Sequence, residues 1–355
     1  MAMILTRRSL ICVAGAGGLS LALGGRARAS DLKPARDIYP TAEVAYLSHY
    51  IADRAGFFKD AGLDCKLIQG GSGVKMREIV GSGQGDMGIG DMSHPMQLIN
   101  HGRPARVFMP VDVRNSAVVF MINQQLADQG VKTLEQLANT KRPDGHKPII
   151  GVSSLGGTNH VWASYYMEVM KLDDKVTWIG LGDVESMLGA LKTRQVDVLV
   201  NSTALLKHAA ENHWGTLLFD GSGEANWNKY IGGKVPATVH FTLKATIDQD
   251  PAKTQAMVTA LWRGTQWIKG HSVEEIYGMV EPYLGSTSRD ATIFDITQMK
   301  GFFDYSGEVD PAAYQRGSKV WFRELTGIKP IPMAEIIDSS FVTTAKKVYP
   351  ATGSL

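Results

Sequence analysis

The sequence has little cysteine: Cys12 and Cys65 are the only two in 355 residues. Cys12 falls in a leading segment set apart by composition, so Cys65 would stand alone after processing. No intramolecular disulfide could then form, and the fold must rest on its hydrophobic core. Long apolar runs are also lacking. The longest, Leu10 to Leu23, is about 14 residues, short of the roughly 20 that a membrane-spanning helix needs. There is no clustered basic face of the kind nucleic acid requires. Neither a Walker motif, a dinucleotide fingerprint nor a Gly-x-Ser-x-Gly elbow occurs. His49, His94, His101, His160 and His208 are spread without metal-ligand spacing, and no convincing pair of carboxylates suggests acid–base work. The expectation is therefore no catalytic residues, no metal and no cofactor. A Pro/Ser-rich linker is absent too, which argues against two domains strung end to end.

What is present begins with an export signal. Arg7 and Arg8 precede the apolar run, which ends in Ala27-Arg28-Ala29, so residues 1–29 read as a cleavable signal peptide cut after Ala29. Thr6-Arg7-Arg8-Ser9-Leu10-Ile11 fits a twin-arginine signal, with Sec export as the alternative. Ile11 stands before Cys12 where a lipoprotein signal needs a small residue, which argues against a lipid anchor. Removing Arg7, Arg8, Arg26 and Arg28 takes the net charge from +2 to −2. The expected location is the periplasm, and export separates the chain from cytosolic cofactors.

Short β-like runs alternate with helical patterns, the order of α/β layers with largely parallel sheets. Thr133 to Gln136 reads as a capping box, Pro148 to Val152 as a strand, and Ser153 to Thr158 as the loop before a helix near Asn159. Val176 to Ile179 reads as a strand, Asp183 as a helix cap, and Val196 to Val200 as a further strand stopping at Asn201-Ser202. Asp250-Pro251 opens a long helix closed by Gly270, Ser272 to Glu275 is a second capping box, and Asp310-Pro311 starts a helix expected to end at Gly327.

The stretch from Tyr46 to Asp64, with Gly56-Phe-Phe58 and Gly62-Leu-Asp64, resembles the opening of a family of binding proteins for sulfonate, nitrate, taurine and thiamine pyrimidine. Gly70 to Gly73, Gly81 to Asp91, Asp183 to Val200 and the helix from Pro251 are similar to that family's later signatures, over most of residues 37–285. The resemblance implies an α/β, periplasmic-binding-protein-like (type II) bilobal fold. Its two lobes would carry mixed, mostly parallel sheets joined by two crossover strands. Lobe one would comprise residues 30–118 and 240–355, and lobe two residues 119–239. The runs Ala117 to Ile122 and Ala237 to Thr242 are expected as hinge strands.

In such sheets ligands sit beyond the carboxyl ends of the strands, at helix N-termini. That rule selects Ser48, His49, Gly71, Ser72, Asp91, Met92 and Ser93 in lobe one, and Ser154, Gly157, Thr158, Asn159, Asn201 and Ser202 in lobe two. Serines and threonines at such places more often cap their own helix. The expected function is capture of a small organic molecule, first an organic acid or sulfonate, for an ABC permease in the inner membrane. The alternatives are a pyrimidine or other thiamine precursor as ligand, and a membrane-bound sensor as partner. The family also includes enzymes of pyrimidine synthesis, but their cysteine-rich segment has no counterpart here. A monomeric binder without nucleic-acid partners is expected.

Overall fold

The computed structural model describes residues 32–284 and 288–351. The expected signal peptide, residues 1–29, lies outside the described residues. Two five-stranded sheets organise the chain. The first contains β1 (Lys33–Tyr39), β2 (Leu63–Gln69), β3 (Met87–Asp91), β4 (Ala105–Pro110) and β10 (Thr238–Leu243), in the order β2-β1-β3-β10-β4. The second contains β5 (Val119–Asn123), β6 (Ile149–Val152), β7 (Thr177–Gly180), β8 (Val198–Asn201) and β9 (Gly215–Asp220), in the order β7-β6-β8-β5-β9. In each sheet one strand runs against the other four, β10 in the first and β5 in the second. The architecture is mixed α/β.

Burial follows position in the sheet. The inner strands β3, β5 and β10 are buried along their whole length, whereas the edge strands β2 and β7 are partly exposed. A strand covered on both faces reads as a near-continuous apolar run, as Val119-Phe-Met-Ile122 does. One buried cluster contains Ile38, Val107 and Phe241 of the first sheet and Phe120, Ile150 and Val200 of the second, together with Trp162 and Trp321. Each such side chain contributes roughly 1.5–3 kcal/mol when withdrawn from water.

Local chemistry sets the helix ends. Asp250 accepts from Lys253 N at the start of Pro251–Gly270, and Ser272 with Glu275 forms a reciprocal capping box. The helix starting at Pro311 ends at Trp321, short of the expected Gly327. Gly327 instead closes a separate 3₁₀ turn, Glu324–Thr326, with φ of 64°. Arg323 ties this region to helix Thr158–Val169: it pairs with Glu168 at 2.7 Å and donates to Val161 O at 2.6 Å.

The expected hinge strands prove to be β5 and β10, integral members of opposite sheets. The segments that cross between sheets are residues 111–118 and 221–237. They run side by side: Val235 N donates to Val113 O at 2.9 Å, and Gly221 N donates to Val118 O at 3.1 Å. Adjacent crossings place the axis of any lobe motion in one narrow strip.

Candidate functional site: a cleft between the two sheets

The two sheets face each other across a narrow cleft that opens to solvent. The first sheet supplies the loop after β1, with Thr41, Glu43 and Tyr46, together with Gly73, Asp91 at the end of β3, and Thr238. The second layer supplies Ser153, Thr158 and Asn159, and the crossing segment adds Asn115 and Ser116. Asp91 accepts from Ser93 N at 2.8 Å and from Trp162 Nε1 at 2.5 Å, so it is held from both sides. Burial pushes its carboxyl up to about 6.

Other carboxyls crowd the same region. Asp112 accepts from Thr238 N at 2.8 Å, its Oδ2 is buried with no partner among the described residues, and burial raises its pKa to about 8. Glu43 accepts from Thr41 Oγ1 at 2.9 Å and is raised by burial, an effect that the nearby Thr41 hydroxyl and Asn201 amide oppose. Asp295 accepts from Thr203 Oγ1 at 2.8 Å and is raised to about 7, again by burial. Burial, reinforced by the charges of Glu43, Asp112 and Asp91, pushes the Tyr46 phenol well above its usual range.

Of the residues expected at the site, Asp91, Thr158 and Asn159 line this cavity. Gly157 caps helix Thr158–Val169, while Ser154 Oγ lies in the same loop, buried and without a partner among the described residues. Asn159 is occupied structurally, accepting from Ser153 Oγ and donating to Val200 O. Ser202 lines a smaller, adjoining space that shares Glu43, and Asn201 accepts from Ser202 N at 2.6 Å. Ser72 caps helix Gly73–Gly81 by accepting from Lys75 N. Gly71 takes φ of 86° in the turn before it. Met92 and Ser93 are fully buried behind Asp91.

Ser48 and His49 lie elsewhere. They fall inside helix Leu47–Arg54, not before it, and are buried between the first sheet and helix Pro251–Gly270. His49 Nδ1 contacts the Asp37 carboxyl, its Nε2 is 3.1 Å from His240 Nδ1, and His240 Nε2 is 3.3 Å from Ser48 Oγ. Burial holds His49 down at about 3 and raises Asp37, so the chain of contacts is neutral. None of these four residues lines the cleft.

Sequence reading missed Thr41, Glu43, Tyr46, Asn115, Ser116 and Thr238. Pro40 was the available signal, because it ends β1 eight residues before Ser48 and makes residues 40–46 the loop at the strand's carboxyl end. Arg114, next to Asn115 in sequence, lies over the Phe302 ring at 4.2 Å. Among the described residues no group of His, Cys, Asp or Glu is arranged to hold a metal ion, and no helix is long and apolar enough to cross a membrane.

Two sheets of this order, joined by a double crossing over a cleft, define the periplasmic-binding-protein fold. The chain belongs to the NMT1-like family, whose sequence profile matches residues 41–277. No curated protein sequence matches it. Among solved structures, a protein of Bordetella bronchiseptica RB50 is similar at 21% identity, with 90% of this chain and 99% of that one covered and a TM-score of 0.75. The periplasmic nitrate-binding protein NrtA from Synechocystis PCC 6803 is similar at 16% identity, over 91% and 92% of the two chains, with a TM-score of 0.66. The periplasmic sulfonate-binding protein SsuA from Methylobacillus flagellatus KT is similar at 14% identity, over 91% and 96%, with a TM-score of 0.64.

Proposed function

We propose that this protein is a periplasmic solute-binding protein that captures a small organic molecule between its lobes and delivers it to an ABC importer in the inner membrane. The observation that carries the reading is the cleft itself, lined from both sheets and bordered by two crossing segments bonded to each other. Opening about that strip would admit a ligand, and closure would bury it between the Glu43–Asp91 wall and the Thr158–Asn159 wall, which the Asp91–Trp162 hydrogen bond holds together. The lobes would be residues 30–118 with 240–355, and 119–239, with β10 carrying Thr238 and Val239 into the first. The monomer acts alone, without cofactor, as a binder and not an enzyme. A leader comprising residues 1–29 supports the periplasmic location.

An organic acid or sulfonate, the ligand suggested by the loop chemistry alone, draws no support from the lining. It contains no Lys, Arg or His, but does contain Glu43 and Asp91. The lining fits a pyrimidine or another donor-bearing molecule better. The test is small-angle scattering and thermal denaturation of the mature protein with a library of small molecules. A binder should raise the melting temperature and reduce the radius of gyration together. A library in which every stabilising compound leaves the radius unchanged would sink closure about this hinge.

A further inference from the structure

The charge in the cleft is of one sign. Glu43 and Asp91 line the cavity, Asp112 stands behind Thr238, and Asp295 borders the adjoining space that Glu43 shares. Neither lining includes a Lys, Arg or His. Arg114, next in sequence to the lining residue Asn115, is turned onto Phe302. The donors that reach these carboxyls from the second layer are neutral: Trp162 Nε1 to Asp91 and Thr203 Oγ1 to Asp295. Buried carboxylates that find no cation within the protein favour a cation from outside.

The opposite wall has another character. Asn115 is 1% exposed and lines the cavity; its Oδ1 accepts from Ala117 N at 2.8 Å, which leaves its Nδ2 to donate elsewhere. The Thr158 hydroxyl lies on the same side, at the start of helix Thr158–Val169, whose cap residue Gly157 has no side chain to satisfy the first N–H groups. This wall offers hydrogen bonds to an acceptor. The cleft is thus polarised from the Glu43–Asp91 wall toward Thr158 and the crossing segment.

We propose that the ligand presents a cationic nitrogen, an ammonium or amidinium, to Glu43 and Asp91 and a hydrogen-bond acceptor to Asn115 and Thr158. The assignment rests on the cleft being the ligand site. It specifies a class of solute: a small amine or amidine whose other end carries a carbonyl, hydroxyl or carboxylate. Asp112, its Oδ2 unpartnered, stands behind Thr238 and outside the lining.

Titration calorimetry on the mature protein tests this with probes that share a skeleton and differ in charge: benzamidine, benzamide and benzoate, then butylamine, butanol and butanesulfonate. A cationic member should bind at least tenfold tighter than its neutral and anionic counterparts. Glu43→Gln should weaken that binding at least tenfold, and Asp91→Asn provides an independent check should the first variant fold poorly. The small molecule released on denaturing purified protein, identified by mass spectrometry, supplies a second readout; a released amine or amidine supports the assignment. Preferred binding of an anionic or neutral probe, or release of such a molecule, overturns the cation and leaves solute capture standing. No binding by any probe together with no released molecule overturns both.

Discussion

Trp162 Nε1, on the helix that follows β6, donates to Asp91 Oδ2 at the end of β3 across 2.5 Å, so this hydrogen bond ties the two sheet layers together at the cleft wall. Both residues are essentially inaccessible to water. Trp162→Phe keeps most of the aromatic volume and the contact with Trp227 but removes the donor. A hydrogen bond to a charged group contributes about 1.5–3 kcal/mol, so the variant should lose about that much stability and melt several degrees lower. Calorimetry checks the loss. A double variant with Asp91→Ala should fall short of the sum of the two single effects, because both remove the same bond.

The pH dependence follows from two opposed sets of buried groups. Asp91, Asp295 and Asp112 titrate at about 6, 7 and 8 in the folded chain, all raised by burial. The unfolded carboxylates titrate near 4, so between about pH 4 and 8 the folded chain holds more of these protons and stability falls as pH rises. The imidazoles act the other way. Burial holds His49 and His94 at about 3 and His160 at about 4, with His240 also lowered. As pH drops below about 6.5 the unfolded chain takes up protons that these histidines refuse, and stability falls. Melting temperature should therefore peak between about pH 5 and 7 and decline on both sides. A melting temperature that climbs steadily to pH 9 would contradict the carboxyl half of this account.

Asp112→Asn separates one member of that set. The side-chain oxygen can still accept from Thr238 N, while the charge that burial disfavours is gone. Above pH 8 the wild-type carboxyl must ionise with Oδ2 unpartnered, so the variant should melt higher there. Near pH 6, where the wild-type group is already protonated, the two proteins should melt alike. Melting curves at the two pH values decide it, and an equal difference at both would mean that the effect is not electrostatic.

The elements set by local chemistry were readable from sequence. Asp250 with Pro251, Ser272 with Glu275 and Asp183 with Ser186 each cap a helix through residues within three positions of one another. The second layer's wall was partly readable for the same reason, since Thr158 and Asn159 follow directly on the Gly156-Gly157 turn. The first layer's wall was not. Whether Ser48 faces ligand or core depends on where helix Leu47–Arg54 begins, and its burial against His240 comes from a strand 192 residues away. Asn115 and Thr238 reach the cavity because two distant segments cross side by side, a relationship no short window contains.

Gly264 tests how closely the helices behind the first sheet are packed. Helix Pro251–Gly270 crosses helix Leu47–Arg54 at this residue, and a Cβ added there would stand 2.5 Å from the carbonyl oxygen of Ser48. That oxygen belongs to the backbone and cannot turn aside as a side chain would. Gly264→Ala should gain up to about 1 kcal/mol from helix propensity, since alanine replaces glycine in a helix interior. Overpacking opposes this with about 1–3 kcal/mol, as the two helices must separate and disturb the contacts of Ser48 and His49 with His240. The steric effect is the larger, so chemical denaturation should show a net loss of stability. Gly270→Ala, at the end of the same helix with open space around the added Cβ, should show no such loss. A stabilised Gly264→Ala variant would mean that the two helices can move apart without penalty.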